Sequence, residues 1–317
     1  MGFAFVFPGQ GSQSVGMLGS LAAAEPKVKA TFEEASQVLG YDLWQLVSEG
    51  PAEALNATER TQPAMLTAGV ATWRVWGARG GAAPAVLSGH SLGEFTALVC
   101  AQSLEFAAAL ELVRYRGELM QQAVPAGSGA MAAILGLEDA DIEAACTEAA
   151  QGAVVEPANF NSPGQVVIAG EEAAVARAIE AAKARGAKRA VLLPVSVPAH
   201  SSLMRAAAQR LAERLRSLNL ERPGIRYVSA VDAAAHEDPQ DLRALLVRQL
   251  SSPVRWTDTL RALSAPPIAQ VIECGPGKVL TALNRRIERR DGLSFLALED
   301  PASVEAALTA TRGDSHA

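Results

Sequence analysis

Cysteine is scarce: the 317 residues contain three, Cys100, Cys146 and Cys274. An odd number, widely separated, with neither a C-x-x-C pair nor an adjacent histidine, supports neither a disulfide framework nor a zinc site. A reducing, cytoplasmic setting is expected. Histidine is almost as rare, so any imidazole base must come from His90, His200, His236 or His316. Long apolar runs are missing too. No stretch approaches the roughly 18 residues that cross a bilayer, and the apolar start Met1 to Phe7 has no basic segment before it and runs straight into Pro8-Gly9. An untargeted soluble chain is expected. Positive charge is not in excess: 28 basic against 34 acidic residues leave −6, which argues against a protein that coats nucleic acid while leaving room for a local basic patch facing an acidic partner.

What is present is ordinary globular composition, 49% apolar and 20% charged, in a chain long enough for one large domain and a smaller one. Phe3 to Phe7 is a short apolar run ended by Pro8-Gly9, the form of a strand buried on both faces. A glycine-containing loop, Pro8 to Ser14, follows. Helical patterns lie near 20–39 and 63–77, then Ala85-Val86-Leu87 leads as a strand into Ser88 to Gly93, with helices at 94–101 and 104–123. Strands alternating with helices predict a mainly parallel α/β sheet.

The middle of the chain differs. Strand 131–135, helix 139–150, strands 153–158 and 166–169, helix 173–185 and strand 190–195 give β-α-β-β-α-β, the ferredoxin-like unit. An inserted subdomain is therefore placed at 125–196, between parts 1–124 and 197–317 of the main domain. The latter resumes with helices 201–217, 239–250 and 278–290 and strands 225–230, 268–273 and 294–298, and Thr311 to Ala317 reads as a frayed tail.

Gly89-His90-Ser91-Leu92-Gly93 satisfies G-x-S-x-G between a strand and a helix. In that setting the motif forms a strained elbow that projects a nucleophilic serine, and the helix N-terminus behind it favours negative charge. The plainer alternative is a glycine-rich helix cap with Ser91 as N-cap. A serine hydroxyl needs a base. His316 lies in the tail, His236 in a polar stretch that reads as a solvated loop, and His90 beside the nucleophile, where a supporting role is expected. His200, after Val195-Ser196-Val197-Pro198-Ala199, sits where the insertion hands the chain back, and such junctions line clefts. The pattern Gly9-x-Gly11 lacks the third glycine of a dinucleotide fingerprint, having Ser14, and no P-loop Gly-Lys-Ser/Thr occurs.

Six motifs now stand in order: Phe7-Pro8-Gly9-Gln10-Gly11-Ser12-Gln13, Gly89 to Glu94, Tyr115-Arg116-Gly117 with Met120-Gln121, Asn161-Ser162-Pro163-Gly164-Gln165, Val197-Pro198-Ala199-His200, and Glu273-Cys274-Gly275-Pro276-Gly277-Lys278. In this order and spacing the chain resembles the malonyl-CoA:acyl carrier protein transacylases over nearly its whole length. The resemblance implies an α/β-hydrolase-like large domain with an inserted ferredoxin-like small subdomain and a cleft site between them. It assigns Ser91 as the acylated residue, His200 as its base, and the backbone carbonyl of Gln249 as the group orienting the imidazole. By residue type alone, Glu94 and Asp232 are the candidate acidic third members. The N–H groups of Gln10 and Leu92 are implied as the oxyanion hole, and Arg116 as the fork that binds the malonyl carboxylate.

The implied reaction is ping-pong acyl transfer without metal, redox or nucleotide cofactor, by a monomer. The implied partner, acyl carrier protein, is acidic. Two basic clusters are candidate docking faces: Lys278 with Arg285, Arg286, Arg289 and Arg290 on one predicted helix, and Lys183, Arg185, Lys188 and Arg189 at the end of the insertion. Ala199 stands where relatives often carry serine, which bears on selectivity among acyl groups. The competing readings are the acyltransferase component of malonate decarboxylase or of a polyketide pathway, a serine esterase or thioesterase, and an inert carrier-protein-binding scaffold.

Overall fold

The computed structural model describes residues 2–125, 127–195 and 197–312; Ser196, His316 and the tail beyond Arg312 lie outside the described residues. Its strands are β1 Gly2–Phe7, β2 Val86–Gly89, β3 Gly129–Leu135, β4 Val155–Ser162, β5 Gln165–Glu171, β6 Arg189–Leu192, β7 Arg226–Val228, β8 Ala235–His236, β9 Ile268–Glu273 and β10 Ser294–Ala297. They form a six-stranded sheet, β10-β9-β1-β2-β7-β8, and a four-stranded sheet, β4-β5-β3-β6. The first is parallel except for the antiparallel edge β8.

Strand β1 explains the two layers around this sheet. Side chains alternate faces along a strand, and Phe3, Phe5 and Phe7 enter the core built on helix Thr58–Ala78, with Phe3 and Phe5 edge-on to Trp76. Ala4 and Val6 point the other way, into a core with Trp256, Leu260 and Leu280. Burial on both faces is why this strand is an unbroken apolar run.

The four-stranded sheet is antiparallel throughout, in ferredoxin-like order. One face carries Ala132, Ile134, Val166 and Ile168 against helices Asp139–Ala150 and Glu172–Ala184. The other face, with Met131, Ala158, Val167 and Ala169, joins the large core. A backbone bridge adds to this: Phe160 N–H donates to Val254 O at 2.9 Å and Val254 N–H to Ala158 O at 2.9 Å. The small sheet is therefore fastened to the main chain beside the elbow.

Several elements depart from expectation. The helix expected over 20–39 is two, Gly19–Ala24 and Pro26–Leu39, because proline is accommodated at a helix start and disfavours helical backbone just before itself. Helices Leu43–Glu49, Ala52–Asn56, Trp256–Leu263 and Pro301–Thr311 were not anticipated; Thr311, placed in the tail, ends the last of them. The helix expected over 278–290 is Val279–Ile287, so Arg289 and Arg290 follow its end. His236 is not in a solvated loop: it lies in β8 and bonds Asp232 at 3.1 Å.

Candidate active site

The elbow is built from contacts only glycine allows. A Cβ on Gly89 would lie 1.9 Å from the Gly93 carbonyl carbon, and one on Gly93 would lie 2.0 Å from Phe7 O. Strand β2 therefore turns directly into helix Gly93–Cys100, and Ser91 takes φ 51°, in the left-handed region. A non-glycine residue held there stores strain that the surrounding packing must sustain.

His200 is the imidazole the fold brings to this hydroxyl: Ser91 Oγ donates to His200 Nε2 at 2.8 Å. The imidazole is fixed from behind, with Nδ1 donating to the backbone O of Gln249 at 2.8 Å. Gln249 lies in the last turn of helix Pro239–Leu250, where carbonyls have no partner within the helix and carry the negative end of its dipole. With Nδ1 protonated, Nε2 is the accepting nitrogen. The His200 backbone is also pinned, its N–H bonding Leu250 O at 3.1 Å. Burial, and secondarily the Arg116 cation, pull its pKa down to about 3, against the Gln249 carbonyl bond. The ring is neutral at physiological pH.

Neither acidic candidate reaches His200. Asp232 binds His236 and Arg248. Glu94, 1% exposed, accepts from Tyr227 Oη, Ser229 Oγ and Ala230 N, at 2.5, 2.8 and 2.8 Å, and from the side-chain amide of Gln249. The group behind the imidazole is the Gln249 carbonyl and not a carboxylate.

Arg116 approaches the same hydroxyl. From helix Phe106–Gln122 its guanidinium reaches Ser91 Oγ at 3.2 Å through Nη2, which also donates to Gln249 Oε1 at 2.9 Å, while Nη1 donates to Gln62 Oε1 at 2.9 Å. It is 1% exposed, and its buried Nε–H has no partner. No carboxylate among the described residues pairs with it, and burial pulls its pKa down to about 10. A desolvated cation with an unused donor beside a serine hydroxyl can seat an anion. Gln62, on the buried face of helix Thr58–Ala78, was not singled out from sequence; a polar residue there carries no periodic signal.

The loop after β1 lies against the elbow. A Cβ on Gly9 would meet His90 O at 2.4 Å, and His90 N–H bonds Phe7 O at 3.0 Å. Neither Gln10 N–H nor Leu92 N–H has an acceptor among the described residues. The motif at 273–278 braces this loop: Gly275 has φ 146°, with the Pro8 ring 3.0 Å from where its Cβ would be. Glu273 accepts the N–H groups of Leu280 and Thr281, and burial pushes its pKa up to about 7. His90 turns away from the nucleophile and bonds Asn161 Oδ1 at 2.9 Å, tying the elbow to the end of β4. A cavity of about 1110 Å³ lined by Cys146, Phe160 and Arg255 includes none of the residues converging on Ser91.

The basic clusters are partly committed. Arg285 binds Phe295 O, Arg290 binds Ser264 O and Ile268 O, and Lys183, Arg185 and Lys278 pair with Glu180, Glu148 and Glu299.

The chain matches the acyl transferase domain model over residues 4–303. It is 56% identical over 307 residues to the malonyl CoA-acyl carrier protein transacylase of Salmonella typhimurium, across 97% of this chain and 99% of that protein. Identity to the Bacillus subtilis enzyme of the same name is 42% over 306 residues, across 96% of each. The acyl carrier protein S-malonyltransferase structure from Vibrio cholerae superposes with a TM-score of 0.94 at 57% identity, covering 97% of this chain and 100% of that one. A malonyl-transacylase solved in complex with a type II PKS acyl-carrier protein gives 0.96 at 54% identity, covering 98% and 100%. With a serine elbow, a histidine on it and these likenesses along its length, the chain belongs to the acyl transferase domain family, among its malonyl CoA-acyl carrier protein transacylases.

Proposed function

We propose that this acyltransferase moves a malonyl group from malonyl-CoA to the phosphopantetheine thiol of acyl carrier protein through a malonyl ester on Ser91. The observation that carries this reading is the convergence of a neutral imidazole, at 2.8 Å, and an unpaired cation, at 3.2 Å, on one serine hydroxyl. One methylene separates the malonyl carboxylate carbon from its thioester carbonyl, about 2.5 Å by ordinary bond lengths. A carboxylate held by Arg116 thus brings that carbonyl to Ser91, and an acetyl group lacks the handle.

His200 takes the Ser91 proton as Oγ attacks the thioester carbonyl, and the resulting oxyanion accepts from the N–H groups of Gln10 and Leu92. The C–S bond breaks and CoA leaves as its thiol with the proton from His200. The carrier thiol then gives its proton to His200, attacks the ester, and Ser91 is regenerated. Thiol replaces thiol, so the exchange balances without cofactor or redox partner. A hydrolase reading predicts a carboxylate on His200; the Gln249 carbonyl occupies that position.

The unit 125–196 is taken as the small subdomain set into 1–124 and 197–317, with the carrier protein docking across both. The two basic clusters are neighbours. Lys188 packs over Gly136, Gly136 N–H bonds Gly164 O at 2.7 Å, and Arg286 bonds Gln165 Oε1 at 2.8 Å. Lys188, Arg189, Arg286 and Arg289 are exposed and make no ion pair among the described residues, which supports reading the two clusters as one docking face. A reducing cytoplasm and a monomer complete the reading.

The test is the intact mass after incubation with malonyl-CoA and no acceptor. A malonyl adduct on the wild type, absent from Ser91→Ala, is expected. Free malonate without an adduct would overturn the reading.

A further inference from the structure

We infer that Glu94 sets the polarity of the Gln249 side-chain amide, keeping its carbonyl end on Arg116, and so acts as a positioning residue for the anion-binding guanidinium. This rests on Arg116 as the carboxylate clamp.

An amide has one accepting and one donating end. Gln249 Oε1 faces the Arg116 Nη2 at 2.9 Å, while Nε2 donates to Ser91 O at 2.8 Å and to Glu94 Oε2. Rotated by half a turn, the amide would set NH₂ against a guanidinium and a carbonyl against both a carboxylate and a carbonyl. Burial raises the Glu94 pKa and its four hydrogen bonds oppose that; Ser91 O favours the observed orientation as well, but Glu94 as a carboxylate is about twice as strong an acceptor as a neutral carbonyl. Glu94 is itself over-determined: three donors fix its Oε1, so the other oxygen is aimed at Gln249.

The arrangement also reconciles two demands on Arg116. A buried cation needs a compensating anion, yet a carboxylate in direct contact would occupy the fork meant for substrate. The Gln249 amide is a neutral spacer: Glu94 compensates the charge through an aligned dipole and leaves the guanidinium open. This accounts for the long-range partner Tyr227 and for the buried carboxylate in the first turn of the nucleophile's helix, neither of which the dyad uses.

The test compares wild type, Glu94→Gln and Arg116→Ala in three reactions of Ser91: acylation by malonyl-CoA, acylation by acetyl-CoA, and labelling by an uncharged alkyl fluorophosphonate that needs the dyad but no clamp. In Glu94→Gln the new amide presents NH₂ to Gln249 and turns it over. The malonyl-to-acetyl rate ratio should fall about tenfold, the loss of one hydrogen bond to a charged group, while fluorophosphonate labelling stays within about twofold. An unchanged ratio, or all three rates falling together as for a merely structural support, overturns the inference. If Arg116→Ala loses selectivity and Glu94→Gln keeps it, this inference fails alone; if neither loses it, the clamp fails too. Should Glu94→Gln not fold, Gln249→Met removes the amide directly; the same drop in ratio is expected, and an unchanged ratio overturns the proposal.

Discussion

At the residue scale the site is governed by what burial does to charge. His200 is flanked by a carbonyl that favours its protonated form and by burial and a cation that oppose it, and the opposing pair prevails, taking the pKa to about 3. The sign for stability follows. An unfolded histidine takes its proton near 6.5, so between about pH 6.5 and 3 the unfolded chain binds a proton that native His200 does not. Stability from this residue is therefore lost as pH falls through that window. Two measurements check it. The kcat/KM for malonyl-CoA, which reports the free enzyme, should show no half-loss near pH 6.5. Urea midpoints of His200→Gln should gain on those of the wild type as pH drops from about 6.5 to 4. A rate that halves near 6.5 would mean an ordinary, solvated imidazole.

At the element scale, the parts that stand on local chemistry were legible. The apolar run of β1, the glycines around Ser91 and the β-α-β-β-α-β order of the small sheet follow from neighbours in sequence. The departures have local causes too. Pro26 splits a helix that hydrophobic spacing alone would continue, and Pro301–Thr311 starts from a capping box at Asp300 and Ser303, a signal carried by two polar residues outside the apolar pattern. What was not legible is long-range pairing. Glu94 and Gln249 lie 155 residues apart, and nothing in the spacing of either shows that they meet, so residue type alone offers the carboxylate to the histidine and not to the amide it binds. Gln62 is hidden for the same reason.

One helix contact at this scale is testable. Gly117 lies where helix Phe106–Gln122 touches the start of helix Thr58–Ala78, and a Cβ there would sit 2.6 Å from Glu59 Cα and 2.8 Å from Glu59 N. These are backbone atoms, so Gly117→Ala must part the helices that carry Arg116 and Gln62. Overpacking of this kind costs about 1–3 kcal/mol. Urea denaturation should show that loss, together with a lower malonyl-to-acetyl ratio; unaltered stability would mean the helices part freely.

At the scale of the whole molecule, a net charge of −6 opposes the approach of an acidic carrier, so docking requires charge to be concentrated rather than abundant. The bridge Lys188, Gly136, Gly164, Gln165, Arg286 concentrates it where the small sheet meets helix Val279–Ile287. Arg290 is no test of this face, because reversing it would strip two backbone carbonyls of their donor. Arg189, in β6, and Arg286, in helix Val279–Ile287, hold no buried group, so Arg189→Glu and Arg286→Glu are the tests. Each reversal should raise the KM for acyl carrier protein about threefold to fivefold, the scale of an exposed ion pair. Together they should multiply, since separated contacts add in free energy. The rate of Ser91 malonylation by malonyl-CoA should stay level, and the KM difference should shrink as salt rises, because the contacts are exposed. A double variant no worse than either single one would mean that the carrier does not meet both elements, and equal losses with malonyl-CoA would mean that the face does not discriminate the carrier at all.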